Sequence, residues 1–456
     1  MNNKNLTVEE TFNLAVKNHQ ENNLEVAESL YNNVLEIDPD HLGAYNNLGV
    51  IFKLLGQNQK AVDCYQKAIK IESNHAHVHN AIGIIFNESG ENQKAIDSYQ
   101  KAIEIDPRNS NAHNNLGNIF TKLEEQQKAI DCYQKAIEID PDYANAHYNL
   151  GNIFTKLEEQ QKAISCYQKT IEIDPRNANA YNNLGNIFKV LGENQKAVSC
   201  YETVIEINPA DANTYYNLGI ISKQLGETQK AIKCFEKVIE INPNYANAHN
   251  NLGVIFKELK DYQKAKDCYD KAITLNPNYA NAHNNLGMAF KELGENQKAK
   301  SCFEKAIKIN PNHVDAHNNL GVIFLGVRAN QKAKSCFEKA IEINPNHVNA
   351  HNNLGVIFKE LGEIEKAKVC YEKAIKINPN YSQAHNNLGV ILKDLGRNHK
   401  AKDCFKKALK IDPLNKLYMA TYGDTLIFLN DKFKGYDYIK KGQGVIKFTP
   451  LYSRII

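Results

Sequence analysis

Residues 280–313 read ANAHNNLGMAFKELGENQKAKSCFEKAIKINPNH, and this stretch decides the fold. The same pattern recurs every 34 residues without an insertion, in repeats that begin at residues 8, 42, 76, 110, 144, 178, 212, 246, 280, 314, 348 and 382. Leu286 and Phe290, and then Ala299 and Phe303, lie four residues apart. Apolar residues at this spacing form one face of an α-helix. Each repeat therefore predicts two amphipathic helices.

Glycine and proline mark where the predicted helices end. Gly294 lies between the two helices, where a left-handed residue ends the first helix, and Pro311 stops the second. Gly287 lies inside the first helix, although glycine there costs about 1 kcal/mol relative to alanine. Its recurrence indicates that another helix packs closely against it. Since neither helix can bury its apolar stripe alone, we expect the repeats to stack.

The repeat resembles the tetratricopeptide repeat. The shared positions are Leu-Gly at seven and eight, an aromatic residue at eleven, Ala at twenty, an aromatic residue at twenty-four and Pro at thirty-two. The resemblance implies an all-α fold, a right-handed superhelical solenoid of antiparallel helix pairs. We expect an N-terminal tail at 1–7, twelve repeats over 8–415, and C-terminal capping helices with a short basic tail over 416–456. The repeat at residue 8 is expected to be a degenerate cap, because Ala15 replaces its glycine and Asn18 its aromatic residue.

Composition excludes several classes of function. Of the 456 residues, 42% are hydrophobic and 23% are charged, which is typical of a soluble globular chain. No apolar run approaches the roughly 18 residues of a membrane span, and MNNKNLTVEE lacks the apolar core of a secretory signal. The net charge of +3 argues against nucleic acid or membrane as a partner. We therefore predict a cytoplasmic protein, with its oligomeric state left open.

Cysteine and histidine recur at fixed positions and could have formed a disulfide framework or a metal site. All ten cysteines occupy position twenty-three, in repeats that stack about 8 to 10 Å apart, too far for disulfides, so we predict free thiols. Histidine occupies position four in eight repeats: His79, His113, His147, His249, His283, His317, His351 and His385. One histidine and one cysteine per repeat match no zinc spacing. We predict a packing role for the histidines, and no metal or cofactor.

Lysine forms two regular rows on the second helices. Position nineteen is lysine from Lys60 to Lys400, and from the repeat at 246 onward position twenty-one also becomes lysine, as in Lys300 and Lys334. The rows have two interpretations, a basic surface for a partner or a solvated outer face. Interleaved Glu and Asp favour the second. The change from Ile96, Ile130 and Ile164 to lysine at position twenty-one has no explanation in the sequence.

Asparagine gives the candidate binding site. Position six is asparagine in ten repeats, which form the predicted peptide-binding row: Asn47, Asn115, Asn149, Asn183, Asn217, Asn251, Asn285, Asn319, Asn353 and Asn387. Position two is also often asparagine, and position nine is asparagine in three repeats but apolar from Val254 onward. In the tetratricopeptide family this side of the first helix lines a concave groove. A carboxamide both donates and accepts hydrogen bonds, so such a row can bind the backbone of an extended peptide. The alternative is that asparagine is a compositional filler.

These patterns predict a binding protein. No phosphate-binding loop, nucleophile with a base, or zinc protease motif is present, so we predict no enzyme activity. The main hypothesis is a protein-protein interaction scaffold that binds an extended segment of a partner in the concave groove. The asparagine row also resembles the repeat array of O-linked N-acetylglucosamine transferase. The alternative is therefore a substrate-recruiting arm of a protein-modifying complex, with its catalytic part on another chain. Lysine is missing at positions two and five, which disfavours a clamp for chaperone tails.

Overall fold

A computed structural model describes residues 6–443, 446–448 and 453–455, with side chains as far as residue 442. The chain divides into two compact parts, Met1–Gly226 and Glu227–Ile456, here called the N-terminal and C-terminal segments. The division falls inside the repeat at 212, between its two helices. Each segment is built from successive helix pairs.

The N-terminal segment contains thirteen helices in its described residues. They are α1 Val8–Gln20, α2 Leu24–Ile37, α3 Leu42–Leu54, α4 Asn58–Ile71, α5 Ala76–Glu88, α6 Asn92–Ile105, α7 Ser110–Lys122, α8 Gln126–Ile139, α9 Ala144–Lys156, α10 Gln160–Ile173, α11 Ala178–Val190, α12 Asn194–Ile207 and α13 Ala212–Gln224. In every repeat the first helix begins at the residue where the sequence places the start of that repeat.

The C-terminal segment continues the same pattern in its described residues. Its helices are α14 Thr228–Ile241, α15 Ala246–Glu258, α16 Tyr262–Leu275, α17 Ala280–Glu292, α18 Asn296–Ile309, α19 Val314–Gly326, α20 Asn330–Ile343, α21 Val348–Glu360, α22 Ile364–Ile377, α23 Ser382–Asp394, α24 Asn398–Ile411, α25 Lys416–Phe428 and α26 Lys432–Gln443. Two short strands, β1 Ile446–Phe448 and β2 Ser453–Ile455, pair antiparallel after α26. The predicted all-α solenoid of helix pairs is confirmed.

The turn inside each repeat uses the left-handed backbone conformation. Gly294 has a φ of 78°, and six other turn glycines also have positive φ values. Glu124 and Glu158 adopt the same conformation with φ values of 62° and 60°. Because a side chain is disfavoured in this region, the two glutamates hold a position that glycine would occupy at lower cost.

The glycine at position eight allows the two helices of a repeat to meet. In α17, a Cβ added to Gly287 would lie 2.6 Å from Cε1 of Phe303 in α18. The same close approach places Tyr133 against Gly117 in the N-terminal segment. The aromatic ring at position twenty-four is buried in every repeat, and the alanine at position twenty has no exposed surface. The sequence prediction of a close helix approach is therefore confirmed.

Helices α25 and α26 form the last pair. A Cβ on either Gly423 or Gly435 would lie 2.7 Å from the carbonyl oxygen of the other residue. Glycine therefore replaces alanine at residue 435 because two backbones touch there. The predicted tails fall largely outside the described residues, which exclude 1–5, 444–445, 449–452 and 456. No helix among the described residues is long and apolar enough to span a bilayer.

Candidate binding face of the first helices

Positions two, six and nine of each first helix share one side of that helix, which we call the ladder face. With 100° of rotation per residue, these three positions lie within an arc of about 60°. Position six is half-buried in all ten predicted site residues, whereas position two is exposed in residues such as Asn145 and Asn179. Every predicted site residue therefore lies on the ladder face of its own segment.

The asparagines at position six bond to the preceding repeat. In six of the ten, the Nδ2 group donates to the Oδ1 of the asparagine at position five of the repeat before it, over 3.0 to 3.1 Å. These bonds join Asn115 to Asn80, Asn149 to Asn114, Asn285 to Asn250, Asn319 to Asn284, Asn353 to Asn318 and Asn387 to Asn352. The row is thus a set of hydrogen bonds that connects successive repeats.

Other members of the row have different partners. Asn47 donates to the hydroxyl of Tyr31 over 3.0 Å, because the repeat at residue 8 carries Phe12 at position five. Asn183 donates to Oδ1 of Asn152 over 3.0 Å. Asn217 accepts a 3.1 Å hydrogen bond from the ammonium of Lys189. Asn251 is the predicted site residue of the first complete repeat in the C-terminal segment.

Three asparagines at position nine have a fixed orientation. The hydroxyls of Tyr133, Tyr167 and Tyr201 donate to the Oδ1 atoms of Asn118, Asn152 and Asn186 over 2.7 to 2.8 Å. Asn118 and Asn152 also accept from the asparagine at position six of the following repeat over 3.0 Å. Since Oδ1 is held toward the protein, both N–H groups of each Nδ2 are left without an acceptor among the described residues.

The ladder face of the C-terminal segment is less polar. Position nine is apolar and half-buried in five repeats: Val254, Met288, Val322, Val356 and Val390. The ring beneath it is phenylalanine in three of these repeats, as in Phe303 under Met288. Tyr269 is an exception, and its buried hydroxyl has no hydrogen-bond partner because Val254 replaces the asparagine. Position nine is therefore polar in three repeats of the N-terminal segment and apolar in five repeats of the C-terminal segment.

A cavity of about 500 Å³ opens on the ladder face of the N-terminal segment. Asn152, Asn183 and Asn186 form its polar wall, and Ile187 and Val190 form its apolar wall. The side chain of Val190 is 71% exposed. The cavity can accommodate one side chain of a bound segment beside the fixed amides.

The histidines at position four hold the preceding proline turn. In seven of the eight, Nε2 lies 2.9 to 3.3 Å from the carbonyl oxygen of the proline at position thirty-two, as in His147 with Pro141 and His283 with Pro277. Burial, the largest cause, lowers the pKa of His283; the hydrogen bond to Pro277 opposes this shift and Lys305 adds to it. The imidazole N–H is therefore used between repeats, which is the packing role that the sequence predicts. No metal-binding group of three ligands occurs among the described residues.

The ten cysteines are free and half-buried or buried. Burial raises the pKa of eight thiols to about 11, and for Cys166 burial is the only cause. Because the thiolate is the nucleophile, these groups are unreactive at neutral pH.

The lysine rows make intramolecular contacts. At position nineteen, Lys298 lies over the ring of Phe290 and pairs with Glu295. At position twenty-one, Lys300 reaches the ring of Phe324 in the next repeat, with its Nζ 5.6 Å from the ring centroid. Ile96 is buried at the equivalent position. Lysine can replace isoleucine there because its methylene stem covers the seam while its ammonium lies over an aromatic ring.

The sequence prediction missed the asparagines at position five. Asn114, Asn250 and Asn284 are buried and accept the bonds from position six. Their regular recurrence was visible in the sequence. Only the packing of adjacent repeats shows that residues 35 positions apart are partners.

Comparisons with known proteins agree with the fold of repeated helix pairs. Models described as TPR repeat match residues 83–123, 117–157 and 151–192, and a model described as tetratricopeptide repeat matches 43–75 and 178–211. The chain is a tetratricopeptide-repeat protein. A model of the C-terminal domain of cilia and flagella-associated protein 70 matches residues 202–416 of this repeat protein. No curated protein matches the chain.

Solved structures that match the chain include the following three. The APC/C hetero-tetramer Cut9-Hcn1 is 15% identical, with a TM-score of 0.51 over 90% of this chain and 95% of that one, and this likeness shows the fold. YrrB, described as a TPR protein with an unusual peptide-binding site, is 26% identical over 41% of this chain and 96% of its own, with a TM-score of 0.39. MamA is 29% identical over 38% and 94%, with a TM-score of 0.35.

Proposed function

We propose that this tetratricopeptide-repeat protein is an interaction scaffold whose ladder face binds an extended segment of a partner protein. The site would lie in the concave groove that the family forms. The observation that carries the proposal is the fixed orientation of Asn118, Asn152 and Asn186. Each side chain directs two N–H donors away from the protein, and each donor group lies one repeat from the next.

The asparagines at position six complement these donors. Asn115, Asn149 and Asn183 each use Nδ2 between repeats, and their Oδ1 atoms accept no hydrogen bond from the described residues. A repeat therefore offers one carbonyl acceptor and one amide donor. The backbone of an extended peptide offers the matching N–H and C=O groups. Binding through these groups is independent of the sequence of the peptide.

Because the amides are oriented before a partner binds, binding loses less side-chain entropy. The tyrosine hydroxyls fix the carboxamides in this orientation. The cavity beside Asn186 then adds a place for one side chain. Backbone recognition by the amides and side-chain selection by the cavity together suit a disordered segment of a partner protein.

The test uses substitutions that remove donors and keep acceptors. Asn118→Asp, Asn152→Asp and Asn186→Asp retain an oxygen for each tyrosine hydroxyl, whereas the amide donors are lost. Peptides selected on the native protein from a random library are expected to bind this triple variant at least about tenfold more weakly in fluorescence anisotropy. A variant with Gln161→Glu, Gln168→Glu and Gln195→Glu adds the same charge on exposed second-helix positions. Equal peptide affinity for the native protein and the aspartate variant would exclude this binding site.

A second experiment separates backbone recognition from side-chain recognition. Single N-methylation along a bound peptide removes one backbone donor at a time without changing its side chains. We expect sensitive positions to recur at the spacing of the repeats. If peptide affinity responded only to side-chain changes and not to N-methylation, recognition of the peptide backbone would be contradicted.

The second candidate function is a substrate-recruiting arm for a protein-modifying enzyme carried on another chain. The asparagine row on the ladder face supports it in the same way as it supports a scaffold. Protein-modifying activity that copurifies with the native chain, and is lost with the aspartate variant, would favour this arm over a scaffold.

A further inference from the structure

The last turn of the second helix differs between repeats in its charge. In five repeats, lysine at position twenty-six pairs with glutamate at position twenty-nine over 2.7 to 3.0 Å. These pairs are Lys101 with Glu104, Lys135 with Glu138, Lys169 with Glu172, Lys237 with Glu240 and Lys339 with Glu342. The pairing neutralises this outer edge of the protein.

In three repeats of the C-terminal segment, lysine replaces that glutamate. The resulting pairs are Lys305 with Lys308, Lys373 with Lys376, and Lys407 with Lys410. All six side chains are exposed, and none has an acidic side chain within 4 Å among the described residues. The repeat at 42 also has two lysines, but Lys67 lies over the ring of Tyr45. Six ammonium groups on one edge of the C-terminal segment therefore lack counter-charges.

Two of the lysine pairs border cavities at the junction between repeats. Lys407 and Lys410 line a cavity of about 610 Å³ together with Pro379, Asn380 and His385. Lys305 and Lys308 line one of about 550 Å³ with Pro277 and Asn278. Each cavity thus combines two cations with the loop that joins adjacent repeats.

Stability alone does not account for these lysine pairs. A cation near a helix C-terminus is favourable, but like charges three residues apart repel each other. A Lys–Glu pair at the same two positions avoids that repulsion, as Lys135 and Glu138 show. The exchange of glutamate for lysine removes the attraction within that pair and creates a positive site.

We propose that these lysine pairs bind an acidic protein segment rich in Asp or Glu, at a site separate from the ladder face. The pairs at 373/376 and 407/410 belong to adjacent repeats. Stacked repeats lie about 10 Å apart, and an extended chain advances about 3.3 Å per residue. The matching segment therefore carries pairs of carboxylates about three residues apart.

The spacing of the charges favours a protein over a nucleic acid. A duplex presents one phosphate charge about every 1.7 Å and suits a continuous basic stripe. Here the lysine pairs are separate, and Lys368, on the same helix as Lys373 and Lys376, already pairs with Glu365 and Glu372. Separate pairs of cations match separate clusters of carboxylates.

The experiment measures binding of a fluorescent peptide in which Glu-Glu pairs alternate with single Gly or Ser residues, so that the pairs recur every three residues. The native full chain is compared with Lys376→Glu/Lys410→Glu, which installs the Lys–Glu pairing of other repeats. We expect at least about tenfold weaker binding by the variant, and a strong decrease with salt for the native chain. Circular dichroism verifies the fold, and Lys376→Gln/Lys410→Gln provides a second variant without new charges.

Two controls separate this site from the ladder face. Lys122→Glu/Lys156→Glu makes the same charge change on first helices of the N-terminal segment and should leave peptide affinity unchanged. Glu138→Lys/Glu172→Lys creates two adjacent lysine pairs in that segment and should raise affinity. Equal binding by the native chain and the Lys376/Lys410 variants, an equal loss with the Lys122/Lys156 variant, or preference for duplex DNA over the peptide would overturn the proposal.

Discussion

The buried Oδ1 of Asn46 has no hydrogen-bond donor, and Ala81 lies where the donor would be. Asn46 occupies position five of its repeat and Ala81 position six of the next. At the next junction, between the repeats at 76 and 110, Asn115 donates to Asn80. The junction between the repeats at 42 and 76 therefore lacks the asparagine–asparagine hydrogen bond that joins other successive repeats.

Replacing Ala81 with asparagine should restore that bond. We expect Ala81→Asn to raise the free energy of unfolding by about 1 kcal/mol, because a buried unpaired carbonyl gains a donor. Urea unfolding measures the change. In an Asn46→Ala background the same substitution should give no gain, and an equal gain in both backgrounds would contradict the inferred pairing.

Two tyrosines at position twenty-four should respond oppositely to loss of the hydroxyl. The Tyr167 hydroxyl donates to Asn152 and also contacts Thr155, so Tyr167→Phe should destabilise the protein by about 1 to 3 kcal/mol. The Tyr269 hydroxyl is buried without a partner, so Tyr269→Phe should be neutral or stabilising. Thermal unfolding of the two variants tests this contrast. A similar loss in both would mean that ring packing, and not the hydrogen bond, determines the effect.

Alanine substitution at two helical glycines, Gly287 and Gly326, should have opposite effects on stability. Gly287→Ala would place its Cβ 2.6 Å from the ring of Phe303, and overpacking of this kind costs about 1 to 3 kcal/mol. Gly326 at the end of α19 has no atom within 4 Å of the added Cβ. Gly326→Ala should therefore stabilise the protein by up to about 1 kcal/mol through helix propensity. Chemical unfolding of both variants checks the signs, and destabilisation by Gly326→Ala would be inconsistent with the open space around it.

The sequence predicts the fold better than it predicts the site. Leu-Gly, the turn glycine and the terminal proline fix the start of each helix, since every repeat must satisfy the same packing. The hydrogen-bond partner of Asn149 is less predictable. A carboxamide has two N–H donors and one carbonyl acceptor, and the groups that lie near it depend on how the repeats stack. Its partner is Asn114, which lies in the preceding repeat, 35 residues earlier in the sequence. The touching backbones of Gly423 and Gly435 likewise appear only when both helices are placed.

Histidine makes the stability of the protein depend on pH. His313 precedes α19, and its Nδ1 accepts a 3.2 Å hydrogen bond from the backbone N–H of Ala316. Burial, the largest cause, lowers the pKa of His313 below its ordinary value of 6.5. Asp315 opposes this shift and His317 adds to it. Protonation of Nδ1 would remove the acceptor and leave the helix without this cap.

Because the folded pKa of His313 is lowered, the unfolded chain binds more protons in acid. Stability should therefore fall as the pH decreases below about 6.5, and it should be fully present above that pH. His313→Asn retains a cap that does not titrate, since Asn109 caps α7 in the same way through a 3.0 Å bond from Ala112. The decrease in thermal unfolding midpoint between pH 7.5 and 5.5 should be smaller in His313→Asn than in the native protein. An identical decrease would assign the pH dependence to the buried histidines at position four.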